Sequence, residues 1–350
     1  MDRKDLFADV AAWNSEFSER LTAYQKLIDT HRVHEAKFQE EKQAALEELR
    51  RTWTLEREEP EKHLLAIAPI FAGDVDALPN LRAAYSDRTA AMMAKIAMLA
   101  YIGFEDADKK KILDRILTHG RVKLLETIAA RETEALVAET DKFVVVAFRG
   151  STSRRDTRTD LRARFNVSKI DLEGRLVSVS VHSGFYNAFA KVEGQVRELL
   201  NKTKNKPIYL TGHSLGGALA LVASAALGIS EEFGDRIAAV YTFGAPRVAQ
   251  GNFSEVVKAP HYRVVNSGDI VPLVPPSWLR GYRHTGMPVL LKKDASKPIR
   301  RSPRGSAFLH TVLSLVLWPF TRQMRFRAAH DSLLYVTNLE RMARNRGRWT

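Results

Sequence analysis

Apolar and polar positions change their period several times along the chain, and each change predicts an element. In the first 60 residues Phe17, Leu21, Tyr24 and Ile28 recur at helical spacing. Residues 35–59 are heavily charged, and Pro60 is the first proline. This predicts one or two long helices forming an N-terminal helical extension over 1–85, either a partner-binding arm or a cap packed on the main domain. Thr89 to Ile102 is almost all Ala, Met, Ile and Leu, which predicts a buried helix ending near Gly103. Its Met stripe reads as core filler rather than a cofactor box. A charged helix from Glu105 to Leu117 follows, with Gly120 as its stop.

From Glu134 the pattern is that of strands. Ala135–Ala138 and Phe143–Phe148 predict two strands joined by a turn at Asp141, the second apolar enough to be buried on both faces. Arg175 to Val181 alternates. Ile208-Tyr209-Leu210 is a short β-forming run that stops at Gly212, and an Ala/Leu-rich helix begins just after Ser214. Ile237–Phe243 and His261–Val265 are strand-like, separated by a helix-compatible stretch. Strands alternating with helices predict an α/β fold over 86–350, with a mostly parallel central sheet flanked by helices. In such sheets ligands bind beyond the carboxyl ends of the strands, where Gly150, Gly212, Gly244 and Asp269 lie.

Composition narrows the chemistry. The 350 residues suit one α/β domain with extensions, and the absence of cysteine excludes disulfides, thiol nucleophiles and Cys-based zinc sites. Met-Asp-Arg-Lys-Asp is followed by no long apolar run, so a cleaved Sec signal is not expected. The expected location is cytoplasmic or peripheral to a membrane, in a bacterium, with signal-less export as the alternative. No stretch reaches the roughly 20 apolar residues of a spanning helix. The formal charge of +13 is concentrated at the end, where Leu279 to Thr350 holds 15 Lys/Arg against 3 Asp/Glu. No nucleic-acid motif accompanies this tail, so nucleic acid is not an expected partner. An anionic membrane surface is.

Gly212-His213-Ser214-Leu215-Gly216 between strand and helix has the G-x-S-x-G form of a sharp turn that exposes a serine hydroxyl. At a helix N-terminus, backbone N–H groups there favour developing negative charge. A serine nucleophile needs a base, and the base an orienting acid; in α/β-hydrolases the chain order is Ser, acid, His. Asp269, after a strand and a Gly-containing turn, is the candidate acid, with a self-capping turn aspartate as the alternative. Of the histidines beyond it, His284 comes soon after, His310 lies in an apolar segment, and His330 stands on a loop before an amphipathic helix. His330 fits the order best. The oxyanion hole is assigned to the amide of Leu215 and to the Gly150-Ser151-Thr152 loop, where Ser151 adds its hydroxyl; losing one such donor costs about 10²–10³ in turnover. This chemistry needs no metal and no cofactor.

Five motifs in this order carry a resemblance: Val144 to Ser151, Val181-His182-Ser-Gly184-Phe185, Gly212 to Gly217, Phe243-Gly244-Ala-Pro246-Arg247-Val248, and Val265-Asn266-Ser-Gly-Asp269-Ile-Val-Pro272. Together they resemble the class 3 (fungal-type) lipases of the α/β-hydrolase fold, over about Thr89 to Val336. The resemblance implies Ser214 as nucleophile, Asp269 as acid, His330 as base, Ser151 and Leu215 as oxyanion donors, and acyl-ester lipids as substrates. Tyr282-Arg-His284-Thr-Gly286 resembles a family segment between acid and base, which marks His284 as structural. Acyl transfer to another alcohol, or a catalytically dead membrane-binding scaffold, are the alternatives. Nothing in the sequence sets an oligomeric state.

Two stretches depart from the family. The lid and substrate-entry segment carries Arg154, Arg155, Arg158, Leu161, Arg162 and Arg164, with Thr157 where a tryptophan is usual. It is not oily, which implies weak interfacial activation on neutral fat and a preference for anionic surfaces such as phospholipid. The insert over 287–328 contains an apolar run with Phe308, Leu309, Leu313, Leu317, Trp318 and Phe320, bracketed by arginines. These six are the membrane-contact candidates.

Overall fold

The computed structural model describes residues 84–102, 107–150, 167–172, 175–203, 206–251, 253–277, 281–291, 330 and 332–346. The expected N-terminal extension up to residue 83 therefore lies outside the described residues. So do Ser151, the lid candidates Arg154, Arg155, Thr157, Arg158 and Leu161, His310, and the membrane-contact candidates between 308 and 320.

A seven-stranded sheet has the order β1 (Lys123–Ala130), β2 (Thr133–Glu139), β3 (Val144–Phe148), β6 (Ile208–His213), β7 (Ile237–Phe243), β9 (His261–Asn266), β11 (Met287–Leu291). The first three strands pair antiparallel and the rest parallel, so the centre of the sheet is parallel. Along β3 alternate residues enter opposite cores: Val145 and Ala147 on one face, Val144, Val146 and Phe148 on the other. That two-sided burial is why the strand is uniformly apolar.

One face is covered by α1 (Asp87–Leu99), α2 (Ala107–His119) and α6 (Ser332–Arg346). These helices contribute Met92, Met93, Ile96, Leu113, Tyr335 and Leu339 to the core, so the Met stripe fills space as expected. Ser86 caps α1, its hydroxyl accepting from the Thr89 amide at 3.5 Å. The other face is covered by α3 (Ser183–Ala190), α4 (Glu193–Asn201) and α5 (Leu215–Gly228). Helix α5 is apolar around nearly its whole circumference and buried accordingly. A separate antiparallel sheet joins β4 (Val167–Leu172), β5 (Arg175–His182), β8 (Ala249–Gln250) and β10 (Tyr282–Arg283), in the order β10-β8-β5-β4.

Three local expectations differ from the structure. The stretch between β7 and β9 forms β8 and a 3-10 turn at Phe253–Glu255 rather than an α-helix. Met287–Leu291, placed by sequence in the insert, is the sheet's edge strand, pairing parallel with β9 from Met287↔Tyr262 to Leu291↔Asn266. Strand β1, not predicted at all, lies half-exposed at the other edge.

Candidate active site

Strand β6 ends at His213 and α5 begins at Leu215, leaving Ser214 alone at the turn with φ 57° and ψ −126°. A non-glycine residue in this region is strained, and such strain is held only where the surroundings fix it. Close approach fixes it here: a Cβ on Gly212 would stand 2.2 Å from the Gly216 carbonyl. The strand and the helix can meet at this angle only because that Cβ is missing. The Ser214 amide donates to Phe243 O at 2.9 Å, tying the turn to β7. Leu215 opens α5, so its amide belongs to the first-turn donors that have no intrahelical acceptor.

Three side chains far apart in sequence converge here. His330 Nε2 lies 2.9 Å from Ser214 Oγ, and His330 Nδ1 lies 2.9 Å from Asp269 Oδ2. Because the carboxylate accepts, Nδ1 carries the proton and Nε2 presents its lone pair to the serine hydroxyl. Asp269 also accepts the Val271 amide on Oδ1 at 2.9 Å. Asp269 thus has one oxygen capping the turn and the other facing the imidazole.

The second ligand of that facing oxygen was not found from sequence. Tyr335, in the first turn of α6, donates its hydroxyl to Asp269 Oδ2 at 2.6 Å and accepts the Asn266 amide at 3.0 Å. Burial and the adjacent Asp269 charge push the Tyr335 phenol well above its usual range, so it stays a donor. Gly244, at the end of β7 with φ +58°, has no Cβ where one would stand 2.6 Å from Asp269 Oδ2 and 3.0 Å from His330 Nδ1. Its position was legible from sequence and its role was not. His213 and Tyr101 also join the site, and neither carried a signal beyond adjacency to the serine or membership of an apolar helix.

Of the other histidines, His284 is half-buried and its Nε2 donates to Pro272 O at 2.6 Å, as a structural residue would. Burial, with Arg263 and Arg247 near, holds its imidazole well below the usual range. Arg247 itself donates to the carbonyls of Leu273 and Pro275 and so braces the loop after Asp269. Gly150, at the entry to the expected oxyanion loop, comes after β3 and the ion pair of Arg149 with Glu134.

Residues 145–278 match the family Lipase (class 3). A lipase of Rhizomucor miehei is 36% identical over 165 residues, covering 44% of this chain and 44% of that protein. The secreted mono- and diacylglycerol lipase 1 of Fusarium solani is 36% identical over 151 residues, 41% of this chain and 42% of that protein. The chain thus spans less than half the length of these curated relatives. Lipase II from Rhizopus niveus superposes with a TM-score of 0.54 at 23% identity, covering 70% of this chain and 94% of that one, which shows the fold. The expectation of a cytoplasmic or peripheral-membrane location is corrected by a relative that is secreted. Cysteine content and N-terminal polarity constrain bonding and burial, and neither encodes a compartment. Ordered motifs, sheet topology and the family match agree: the chain has the α/β-hydrolase fold, and residues 145–278 are similar to the class 3 lipases.

Proposed function

We propose that this protein is a serine carboxylester hydrolase acting on acyl lipids. The observation that carries the reading is the unbroken hydrogen-bonded chain from Ser214 Oγ through both nitrogens of His330 to Asp269 Oδ2, each link 2.9 Å. Ser214 Oγ attacks the ester carbonyl while His330 Nε2 takes its proton, and Asp269 stabilises the imidazolium. The negative charge on the carbonyl oxygen is met by the Leu215 amide and by Ser151. The tetrahedral species collapses, His330 returns the proton to the departing alcohol, and the acyl group stays on Ser214. Water then attacks the acyl-enzyme with His330 as base, freeing the fatty acid.

An intact chain of this kind argues for catalysis rather than a dead scaffold. Acyl lipids are favoured by the likeness to lipases, one of them named for mono- and diacylglycerol. The arginines 154, 155, 158, 162 and 164 further favour lipids at an anionic surface, and the apolar run with Trp318 and Phe320 suits contact with that surface. The test is a panel of triglyceride, monoglyceride, phosphatidylglycerol and phosphatidylcholine, read by released fatty acid, with Ser214→Ala alongside. Wild-type release, at least about 10³-fold lower in the variant, is the expected result. Labelling of Ser214→Ala by a fluorophosphonate at the wild-type rate would overturn the nucleophile.

A further inference from the structure

His213, the residue before Ser214 on β6, is buried and forms two hydrogen bonds through its ring. Its Nε2 lies 2.7 Å from the main-chain oxygen of His330, and its Nδ1 lies 2.9 Å from the Tyr101 hydroxyl. A carbonyl oxygen only accepts, so Nε2 must carry the proton. In the neutral ring Nδ1 is then an acceptor, and Tyr101 O–H donates to it. Both bonds coexist in that tautomer alone, unless the ring is charged. Burial and the nearby His330 hold His213 well below the usual imidazole range, which keeps it neutral. The two imidazoles stand 4.6 Å apart between centroids, so a charged His213 would also oppose the imidazolium that forms on His330 during catalysis.

We propose that His213 is a positioning residue: its Nε2–H tethers the main chain of His330 to the strand that carries Ser214, and Tyr101 locks the ring in the tautomer the tether needs. The inference rests on the hydrolase reading and deepens it. The two bonds of the His330 ring run to Asp269 and Ser214 from opposite nitrogens and leave free a rotation about the line joining them. The main-chain bond removes that rotation. Because His213 and Ser214 are consecutive, base and hydroxyl are referred to one rigid strand end. The chain of contacts reaches the oxyanion loop too, since a Cβ on Gly150 would stand 2.0 Å from the Tyr101 hydroxyl and 2.7 Å from His213 O.

Two readouts on the full chain test this. In protein labelled with ¹⁵N-histidine, long-range ¹H–¹⁵N spectra assign His213 by its loss in His213→Gln. The expected state is neutral Nε2–H between pH 6 and 8; a neutral Nδ1–H ring overturns the tether, and a cationic ring overturns the lock by Tyr101. In kinetics on p-nitrophenyl butyrate, His213→Leu is expected to lower kcat about 10²-fold with KM within about twofold, the signature of a misplaced base. His213→Gln, which keeps an N–H near the same place, recovers to within about tenfold of wild type. Tyr101→Phe added to His213→Leu lowers kcat no further, because both act through one chain. Should His213→Leu fold as wild type and keep kcat within about threefold, or should the two changes multiply, the proposal fails. Should His213→Leu not fold, the glutamine and phenylalanine variants and the spectra decide. If wild-type protein cleaves no ester, the hydrolase reading falls by itself, and the tautomer still judges the tether.

Discussion

Gly244 and Tyr335 show how single atoms set the geometry around Asp269. A methyl group at 244 would meet the carboxylate at 2.6 Å, on a backbone whose φ of +58° already disfavours any other residue. Gly244→Ala is therefore expected to lose about 1–3 kcal/mol of stability and at least about 10²-fold in kcat, measured by urea melts and ester kinetics. Tyr335→Phe removes a donor to the carboxylate and the acceptor of the Asn266 amide. Hydrogen bonds to charged groups are worth about 1.5–3 kcal/mol, so a stability loss of that size is expected together with a kcat about tenfold lower at little-changed KM. A kcat equal to wild type would show that Val271 and His330 suffice to hold Asp269.

At the scale of elements, the site depends on how α6 docks. It carries Tyr335 and begins just after His330, and it lies along α1, which contributes Tyr101 just beyond its end. Lys95 of α1 and Glu340 of α6 form a 2.8 Å ion pair with side chains only 4% and 17% exposed. Removing one partner of a largely buried pair costs more than the pair itself contributes, so Lys95→Met is expected to cost about 3–5 kcal/mol. Lys95→Met with Glu340→Leu is expected to recover most of that loss, read as urea midpoints. Thr211 of β6 adds a further link, its hydroxyl donating to Met93 O at 3.2 Å. The helices and central strands were legible because their periods were strong: α1 spans Asp87–Leu99 where a buried helix over 89–102 was expected. Strand β1 was not, because Lys-Leu-Leu-Glu-Thr-Ile-Ala-Ala has helix-forming composition and gains its conformation from pairing with β2. Its hairpin turn puts Arg131 at φ 56°, with none of the Asn-Gly or Asp-Gly pairs that announce such a turn.

Across the whole molecule, folding withdraws several imidazoles from water. His261, between Thr242 and Thr285, is held down to about 3 by burial and by Arg263, and His213 and His284 lie well below the usual range, chiefly through burial. Unfolded histidines take up protons near pH 6.5, and the folded protein refuses them. Stability contributed by these neutral rings is fully present above about pH 6.5 and falls as pH drops through it. For His261 the loss is about 1.4 kcal/mol per pH unit and continues toward about pH 3. Urea midpoints taken from pH 7.5 to 5 should decline in wild type, and less steeply in His261→Gln. Equal slopes would show that His261 is protonated in the fold.

The sequence by itself determined the strand–turn–helix at Ser214, the alternation of strands and helices, and the identity of the three side chains that meet. Those are properties of local period, turn chemistry and chain order, each written in neighbouring residues. Only the tertiary structure decided that Asp269 shares its two oxygens between a turn and an imidazole, that Tyr335 and Gly244 surround it, and that His213 and Tyr101 reach the base. The hydrogen bonds of Tyr335, Tyr101 and His213 join residues separated by 66 to 117 positions, and their worth depends on angles and distances between elements that no local pattern specifies.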